Sequence, residues 1–124
     1  DLVRSRGLGD VYKRQAMGRR TGLDLQELYD AIRGGAAGSW VLETAGPALV
    51  RNDFRPGGTV DLHTRDLANA VQFANELEFP IPVTGLVHQL YLASQSMGDG
   101  GKAQQALIRL WEAVGGLKPD ERSR

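Results

Sequence analysis

The sequence predicts an all-α protein of about five to six helices. Several segments repeat apolar residues every three to four positions, which is the period of one face of an α-helix. No segment alternates apolar and polar residues with a period of two, so no sheet is expected. Glycine- and proline-rich stretches separate the helical segments and mark their expected ends. The chain has 124 residues, enough for one domain with an apolar core.

The first fifteen residues are expected to lie outside that domain. They are rich in charge and show no sustained helical or strand period. Residues 5–15 resemble one reading frame of a sequencing adapter, which indicates a leader of foreign origin; an ordinary disordered basic arm is the alternative. No apolar signal-peptide core occurs there. We therefore predict a leader at 1–15, a helical domain at 16–117 and a flexible tail at 118–124.

The first amphipathic segment carries four apolar residues at the spacing of one helix face: Leu25, Leu28, Tyr29 and Ile32. Asp24 precedes them as the expected N-cap, and residues 34–35 should end the helix in the left-handed conformation that glycine favours. Ser39 is expected to cap the next helical segment. Gly46 and Pro47 should break that segment into two short pieces.

The longest predicted helix runs from Val60 to Glu78. Its expected buried stripe consists of Val60, Leu67, Val71, Ala74 and Leu77. Proline residues at 80 and 82 should end it, because the residue before a proline avoids helical dihedral angles. Asp61 is expected to pair with Arg65 one turn along the helix.

Two more helices are predicted after that point. The first follows apolar residues from Val83 to Met97, and a turn at residues 98–101 ends it. The second follows apolar residues from Ala103 to Val114. Lys102, in the turn between them, does not belong to a phosphate-binding P-loop, because Ala103 stands where that motif needs a hydroxyl.

Composition excludes several classes of function. The formal net charge is zero, and it is −2 once residues 1–15 are set aside, which argues against nucleic acid as a partner. No apolar run approaches the roughly 20 residues of a membrane span. The sequence contains no cysteine, so disulfides and thiolate chemistry are excluded. A cytoplasmic location is the expectation. His63 and His88 show no metal-ligand spacing, and no metal site is predicted.

The loop from Gly34 to Trp40 is unusually rich in glycine and alanine. Such a loop gives up side-chain burial, which is useful where the backbone must pass close to a helix or to a ligand. Ala36 lies within it, and Trp40 directly after it is either a core aromatic or a pocket wall. The residues alone favour a packing role for this loop.

Taken together, four segments resemble the C-terminal helical domain of the 3-hydroxyisobutyrate dehydrogenase family, the β-hydroxyacid dehydrogenases. The segments are the 34–40 loop, Gly57-Gly58 followed by Leu62-His63-Thr64-Arg65-Asp66-Leu67, residues 79–82 and residues 106–110. The resemblance implies the helical domain of a 6-phosphogluconate-dehydrogenase-like enzyme. It also implies NAD or NADP as cofactor, bound mainly by a Rossmann domain outside this chain.

The resemblance also implies a set of site residues. Relatives carry Lys-Asp-Leu where this chain has Arg65, Asp66 and leucine, and their lysine lies beside the nicotinamide and the substrate. Their aspartate helps to set the pocket. By position, Arg65 and Asp66 inherit those two roles, although arginine presents a planar fork instead of a point charge. Ala36 and Trp40 would form the pocket wall. Gly58 falls where relatives often place an aromatic residue.

The general acid of the family is a lysine in a motif that this sequence does not contain. The lysines here are Lys13, Lys102 and Lys118, none in a matching context. No catalytic residue is therefore expected in this chain, which we interpret as a fragment that is inactive alone. Its expected partners are a short 3-hydroxy acid or its semialdehyde and a second copy of itself. The alternative is a stand-alone helical interaction or dimerisation module without catalysis.

Overall fold

A computed structural model describes the backbone of residues 2–118 and the side chains of residues 12–118. Its regular structure is helical: α1 (Leu2–Thr21), α2 (Leu25–Arg33), α3 (Trp40–Val50), α4 (Val60–Glu76), α5 (Pro82–Ser96), a 3₁₀ helix (Gln104–Leu107) and α6 (Ile108–Val114). In that range, β pairing is limited to one isolated antiparallel bridge between Thr59 and Ala103. The all-α prediction is confirmed. The predicted tail lies outside the described residues from position 119 on.

The chain divides into two compact units, which are described separately. The first comprises Asp1–Phe54 and Trp111–Arg124, and the second comprises Arg55–Leu110. In the first unit, α1, α2 and α3 contact one another. Their buried apolar residues are Tyr12, Ala16, Tyr29, Leu42, Ala45 and Leu49.

Helix α1 includes residues for which the sequence predicted no helix. Tyr12 and Gln15 are fully buried in it, and Ala16 is 6% exposed. Helices in proteins owe most of their stability to the packing of one face. Buried contacts therefore stabilise α1, although its sequence shows no clear helical period. The predicted foreign origin of residues 1–15 is a separate question and stays a prediction.

Helix α3 corrects the predicted break at Gly46 and Pro47. It runs unbroken from Trp40 to Val50 with Pro47 inside it. Proline removes only its own N–H bond, and the chain still forms the bond from Arg51 N to Pro47 O at 3.2 Å. Gly46 packs directly against the ring of Tyr29, so a buried contact holds the segment in helical form.

The predicted N-caps of α2 and α3 are confirmed, but the predicted left-handed end of α2 is wrong. Asp24 accepts from Glu27 N at 2.9 Å, and Ser39 accepts from Leu42 N at 3.1 Å. Helix α2 does end before Gly34, but Gly34 has φ −83° rather than the left-handed conformation that was expected.

The second unit is built on α4 and α5, which pack along each other with the 3₁₀ helix against both. Its buried apolar residues are Val60, Ala74, Val87, Tyr91, Ala103, Ala106, Leu107 and Ile108. The predicted last helix is divided in the structure into the 3₁₀ helix and α6. Lys102 lies in the turn before it, as predicted.

Helix α4 is two residues shorter than predicted. It ends at Glu76, and Glu78 takes a positive φ of 52° in the turn that follows. Leu77 is therefore not part of the buried stripe and is 59% exposed. Its spacing alone predicts that Leu77 is buried, but Leu77 lies just after the end of the helix, where its side chain is exposed.

Among the described residues, no helix combines the length and apolar character needed to cross a membrane. The cytoplasmic location stays a prediction.

Candidate functional site

The start of α4 is held in place by hydrogen bonds to the residue before it and to the turn that contains Gly100 and Lys102. Three of its first amides have partners: Val60 N donates to Lys102 O at 2.9 Å, Asp61 N to Gly100 O at 3.0 Å, and Leu62 N to Thr59 Oγ1 at 3.1 Å. The amides that a helix normally offers to an anion are thus already occupied. This helix start positions side chains but provides no backbone cradle for a phosphate.

A buried carboxylate fixes the turn that supplies two of those acceptors. Asp99 is fully buried, and its side chain meets two cations. Lys102 Nζ lies 2.5 Å from Asp99 Oδ1, and Arg109 Nε lies 3.1 Å from Asp99 Oδ2. A buried charge is tolerated when it is paired in this way. Asp99 therefore sets the turn against which α4 begins.

Arg65 and Asp66 lie side by side on the surface of α4. Arg65 Nη2 is 3.3 Å from Asp66 Oδ1, and the side chains are 68% and 60% exposed. The predicted pair between Asp61 and Arg65 is wrong, because Asp61 Oδ1 accepts from Gln95 Nε2 at 2.6 Å instead. An exposed ion pair of this kind is weak, so both groups are available to a ligand.

Gly58 and His63 lie close together just before that pair, with space between them only for a glycine. A Cβ added to Gly58 would lie 3.1 Å from His63 Cε1. The imidazole also stacks on the ring of Tyr91, with centroids 5.8 Å apart and an angle of 14°. His63 Nδ1 lies 3.0 Å from Thr59 O. Sequence reasoning assigned no role to His63, since its only local signal is its position four residues after the helix cap.

Ala36 and Trp40 belong to the first unit. Trp40 is the first residue of α3 and is 75% exposed; Ala36 is exposed in the loop before it. A Cβ at Gly38 would meet Arg33 O at 2.5 Å, so the tight loop itself requires glycine there. Trp40 is not a core aromatic, which removes the packing alternative for that side chain.

Arg33 borders the same loop. Its hydrogen bond with Tyr29, and then the charge of Asp30, raise the pKa of the guanidinium above its usual value. The guanidinium also lies 5.5 Å from the centroid of the Tyr29 ring. Arg33 therefore stays a cation, held on α2.

The predicted site residues thus fall in two units. Gly58, Arg65 and Asp66 lie at the start of α4 in the second unit, whereas Ala36 and Trp40 lie in the first. Among the described side chains, no group of three or more histidine, aspartate or glutamate residues is placed to hold a metal ion.

The described residues fit one part of a nicotinamide cofactor. Arg65 offers a cation to a phosphate or carboxylate, and Asp66 offers an acceptor to hydroxyl groups. The occupied amides of α4 do not fit a pyrophosphate, which a glycine-rich turn at a helix start would bind. Arg65 and Asp66 could therefore contact a phosphate, a carboxylate or hydroxyl groups through their side chains, but the backbone of α4 could not cradle a pyrophosphate.

The exposed Arg65–Asp66 pair near the start of α4 makes this helical chain a candidate ligand-binding domain. The chain belongs to the β-hydroxyacid dehydrogenase family: residues 13–111 match the family described as "NAD-binding of NADP-dependent 3-hydroxyisobutyrate dehydrogenase". The resemblance predicted from sequence is confirmed, and so is NAD(P) as the cofactor of the family. The description assigns NAD binding to the matched region itself.

Individual relatives agree with the assignment of the chain to this family. The chain is similar to L-threonate dehydrogenase of Cupriavidus necator, with 31% identity over 99 residues that cover 80% of this chain and 33% of that protein. It is 29% identical over 99 residues to 2-hydroxy-3-oxopropionate reductase of Escherichia coli, covering 80% of this chain and 34% of that protein. The chain therefore spans about a third of the length of the curated relatives it matches.

The fold is shared with a solved structure. The crystal structure of 3-hydroxyisobutyrate dehydrogenase from Salmonella typhimurium superposes with a TM-score of 0.81 at 24% identity. The match covers 87% of this chain and 38% of that one. At this identity the likeness establishes the helical fold, which confirms the predicted fold class.

Proposed function

We propose that this chain supplies the helical part of the active site of an NAD(P)-dependent oxidoreductase acting on a short hydroxy acid or its semialdehyde. The observation that carries the proposal is the exposed Arg65–Asp66 pair on a helix whose start is fixed by the Asp99 turn. The family match over residues 13–111 supplies the chemistry. Gly58, in the same unit, is proposed as a further pocket residue on the strength of the resemblance alone, and the roles of Ala36 and Trp40 stay predictions from the sequence.

In this proposal Arg65 binds and orients an anionic group of the ligand. Its guanidinium holds the carboxylate of the hydroxy acid or a phosphate of the cofactor through charge-assisted hydrogen bonds. Asp66, an acceptor beside it, keeps the fork of Arg65 directed and accepts from a ligand hydroxyl. When bound, the nicotinamide supplies or accepts the hydride. The general acid belongs to a region outside these residues, so the chain alone is proposed to be inactive.

An activity assay of the isolated chain tests whether it is inactive alone. The chain is incubated with NAD⁺ or NADP⁺ and either L-threonate or 3-hydroxyisobutyrate, and reduced cofactor is followed by absorbance. No turnover is expected. Formation of reduced cofactor above the no-enzyme rate would show that the chain carries a complete site and would overturn the proposal of inactivity.

Binding tests the role of Arg65. L-threonate and NADP⁺ are titrated into the isotopically labelled chain, and the Arg65 side-chain signal is followed by NMR. Arg65→Ala should weaken binding by about tenfold or more, because it removes a charged hydrogen-bond partner. Arg51→Ala, at another exposed arginine, is the control and should leave binding unchanged. Equal effects of the two variants would contradict the assignment.

We also propose that the second unit associates with another copy of the chain. Five large apolar residues lie where α4 connects to α5, each between 59% and 65% exposed: Phe73, Leu77, Phe79, Val83 and Leu86. Together they expose roughly 500 Å² of apolar surface, near the upper end for a typical monomer. That is a large share of the roughly 800 Å² that each partner buries in a standard interface.

Sedimentation equilibrium tests the association. The wild-type chain should show a mass that rises with concentration, and Phe73→Asp should lower the association. Ala70→Asp adds the same charge at an exposed position of α4 without removing apolar surface, so it should behave as wild type. A wild-type chain that stays monomeric at high concentration would reject the proposal.

A further inference from the structure

His63 is held by a hydrogen bond and a stacked ring, and it lies beside Gly58. Its Nδ1 lies 3.0 Å from the carbonyl oxygen of Thr59, and a carbonyl can only accept, so Nδ1 carries the hydrogen. Tyr91 stacks on one face of the ring. The missing side chain of Gly58 leaves room at Cε1, where a Cβ would lie 3.1 Å away. The ring is thus held in one orientation and one tautomer.

That tautomer leaves a hydrogen-bond acceptor on the opposite side of the ring. In a neutral imidazole with its hydrogen on Nδ1, Nε2 carries the free lone pair. No described residue donates to His63 Nε2, and the atom is not among the buried polar atoms without partners. An acceptor with a fixed direction and access to solvent is suited to a ligand donor.

Asp66 provides a second acceptor on the same helix face. Residues three apart on an α-helix are surface neighbours, so Asp66 follows His63 on one face of α4. Its carboxylate is exposed and carries only lone pairs, and Arg65 stands next to it as a cation. Two acceptors beside one cation match an anion that carries more than one hydroxyl group.

We propose that His63 Nε2 and the Asp66 carboxylate accept hydrogen bonds from neighbouring hydroxyls of an anion held by Arg65. The inference rests on the proposed function and narrows its ligand from a hydroxy acid to a polyhydroxylated one. Two ligands share this chemistry: a sugar acid as substrate and the ribose of a nicotinamide nucleotide. The hydrogen bond to Thr59 and the stack on Tyr91 are then what direct the acceptor.

NMR of the chain with ¹⁵N-labelled histidine tests the inference. Without ligand, in buffer alkaline enough to keep histidine neutral, His63 Nε2 should give the signal of an unprotonated ring nitrogen, and Nδ1 that of a protonated one. Three probes are then titrated: L-threonate, 3-hydroxyisobutyrate, which has a single hydroxyl, and nicotinamide mononucleotide. L-threonate or the nucleotide should shift His63 Nε2 and bind about tenfold more tightly than 3-hydroxyisobutyrate.

His63→Asn separates ligand contact from structural support. The asparagine amide can still donate to Thr59 O, but no acceptor remains at the position of Nε2. The preference for L-threonate over 3-hydroxyisobutyrate should fall about tenfold, while amide exchange at the start of α4 stays unchanged. His88→Asn, at the other histidine, is the matched control and should keep the preference.

Each outcome decides between named possibilities. A shift with L-threonate assigns the hydroxyls to the substrate, and a shift with the nucleotide alone assigns them to the ribose. If L-threonate shifts Arg65 and leaves His63 Nε2 unmoved, or if 3-hydroxyisobutyrate binds as well, the inference is overturned and the proposed function stands. If no probe shifts Arg65, the binding role given to Arg65 in the proposed function fails and the hydroxyl contact fails with it.

Discussion

Arg19 and Glu112 form a buried ion pair in the first unit. Arg19 Nη1 lies 2.7 Å from Glu112 Oε1, and the two side chains are 7% and 4% exposed. The same guanidinium donates through Nη2 to Leu49 O at 3.0 Å. One side chain of α1 thereby ties together the end of α3 and the C-terminal turn of α6, so α1 is an integral part of this unit.

Removing one partner of that pair should be costly. Glu112→Gln removes a buried negative charge that pairs with Arg19, and the free energy of unfolding should fall by up to about 3–5 kcal/mol. Urea denaturation measures it. Asp30→Asn breaks the pair with Arg33, whose side chains are about half exposed, and should cost about 0–1 kcal/mol. A Glu112→Gln variant as stable as this control would contradict the assigned burial.

Two glycines in helices should respond to alanine with opposite signs. At Gly46 a Cβ would overlap the ring of Tyr29, so Gly46→Ala should destabilise by about 1–3 kcal/mol. At Gly85 no atom lies within 4 Å of a built Cβ, so Gly85→Ala should stabilise by up to about 1 kcal/mol through helix propensity alone. Thermal denaturation of both variants checks the pair, and the same sign for both would refute the packing described.

Replacing Gln15 by an apolar residue should stabilise the fold. It is fully buried, and neither its Oε1 nor its Nε2 has a hydrogen-bond partner in the structure. Gln15→Leu removes the cost of that buried amide and should raise the free energy of unfolding by about 1–3 kcal/mol. Gln89→Leu, at an exposed position, should change it by less than about 0.5 kcal/mol. Destabilisation by Gln15→Leu would show that its amide is satisfied.

The Asp99 turn should control the start of α4. In Asp99→Asn, Lys102 and Arg109 lose their carboxylate partner, and the turn that accepts from Val60 N and Asp61 N should loosen. Hydrogen exchange at those two amides should accelerate by about tenfold or more. Asp66→Asn changes an exposed carboxylate on the same helix and should leave both rates unchanged. Unchanged exchange in Asp99→Asn would show that this turn does not stabilise the start of α4.

Signals within a few residues predicted the parts of the fold that local chemistry decides. Asp24 and Ser39 were recognised as caps because a short polar side chain can reach an amide three residues ahead. The Arg65–Asp66 site was recognised because the family places a charged pair at that point of the helix. Its role stays a prediction.

Features decided by distant residues were missed. Pro47 lies within a helix whose Gly46 is close against Tyr29, on another helix. Asp61 was assigned to Arg65 by helical spacing, yet its partner is Gln95, 34 residues away. His63 gains its fixed orientation from Tyr91 on α5. None of these contacts leaves a pattern in the local sequence.

The most direct test of the central claim is activity in a chimera. Residues 13–111 replace the matching region of the L-threonate dehydrogenase of Cupriavidus necator, and NAD-dependent oxidation of L-threonate is measured with and without Arg65→Ala. The chimera should turn over, and Arg65→Ala should lower kcat/KM by about 10²-fold, as loss of a charge-stabilising donor does. A folded chimera that binds NAD without turnover, or whose rate is indifferent to Arg65→Ala, would contradict the proposed role of this chain.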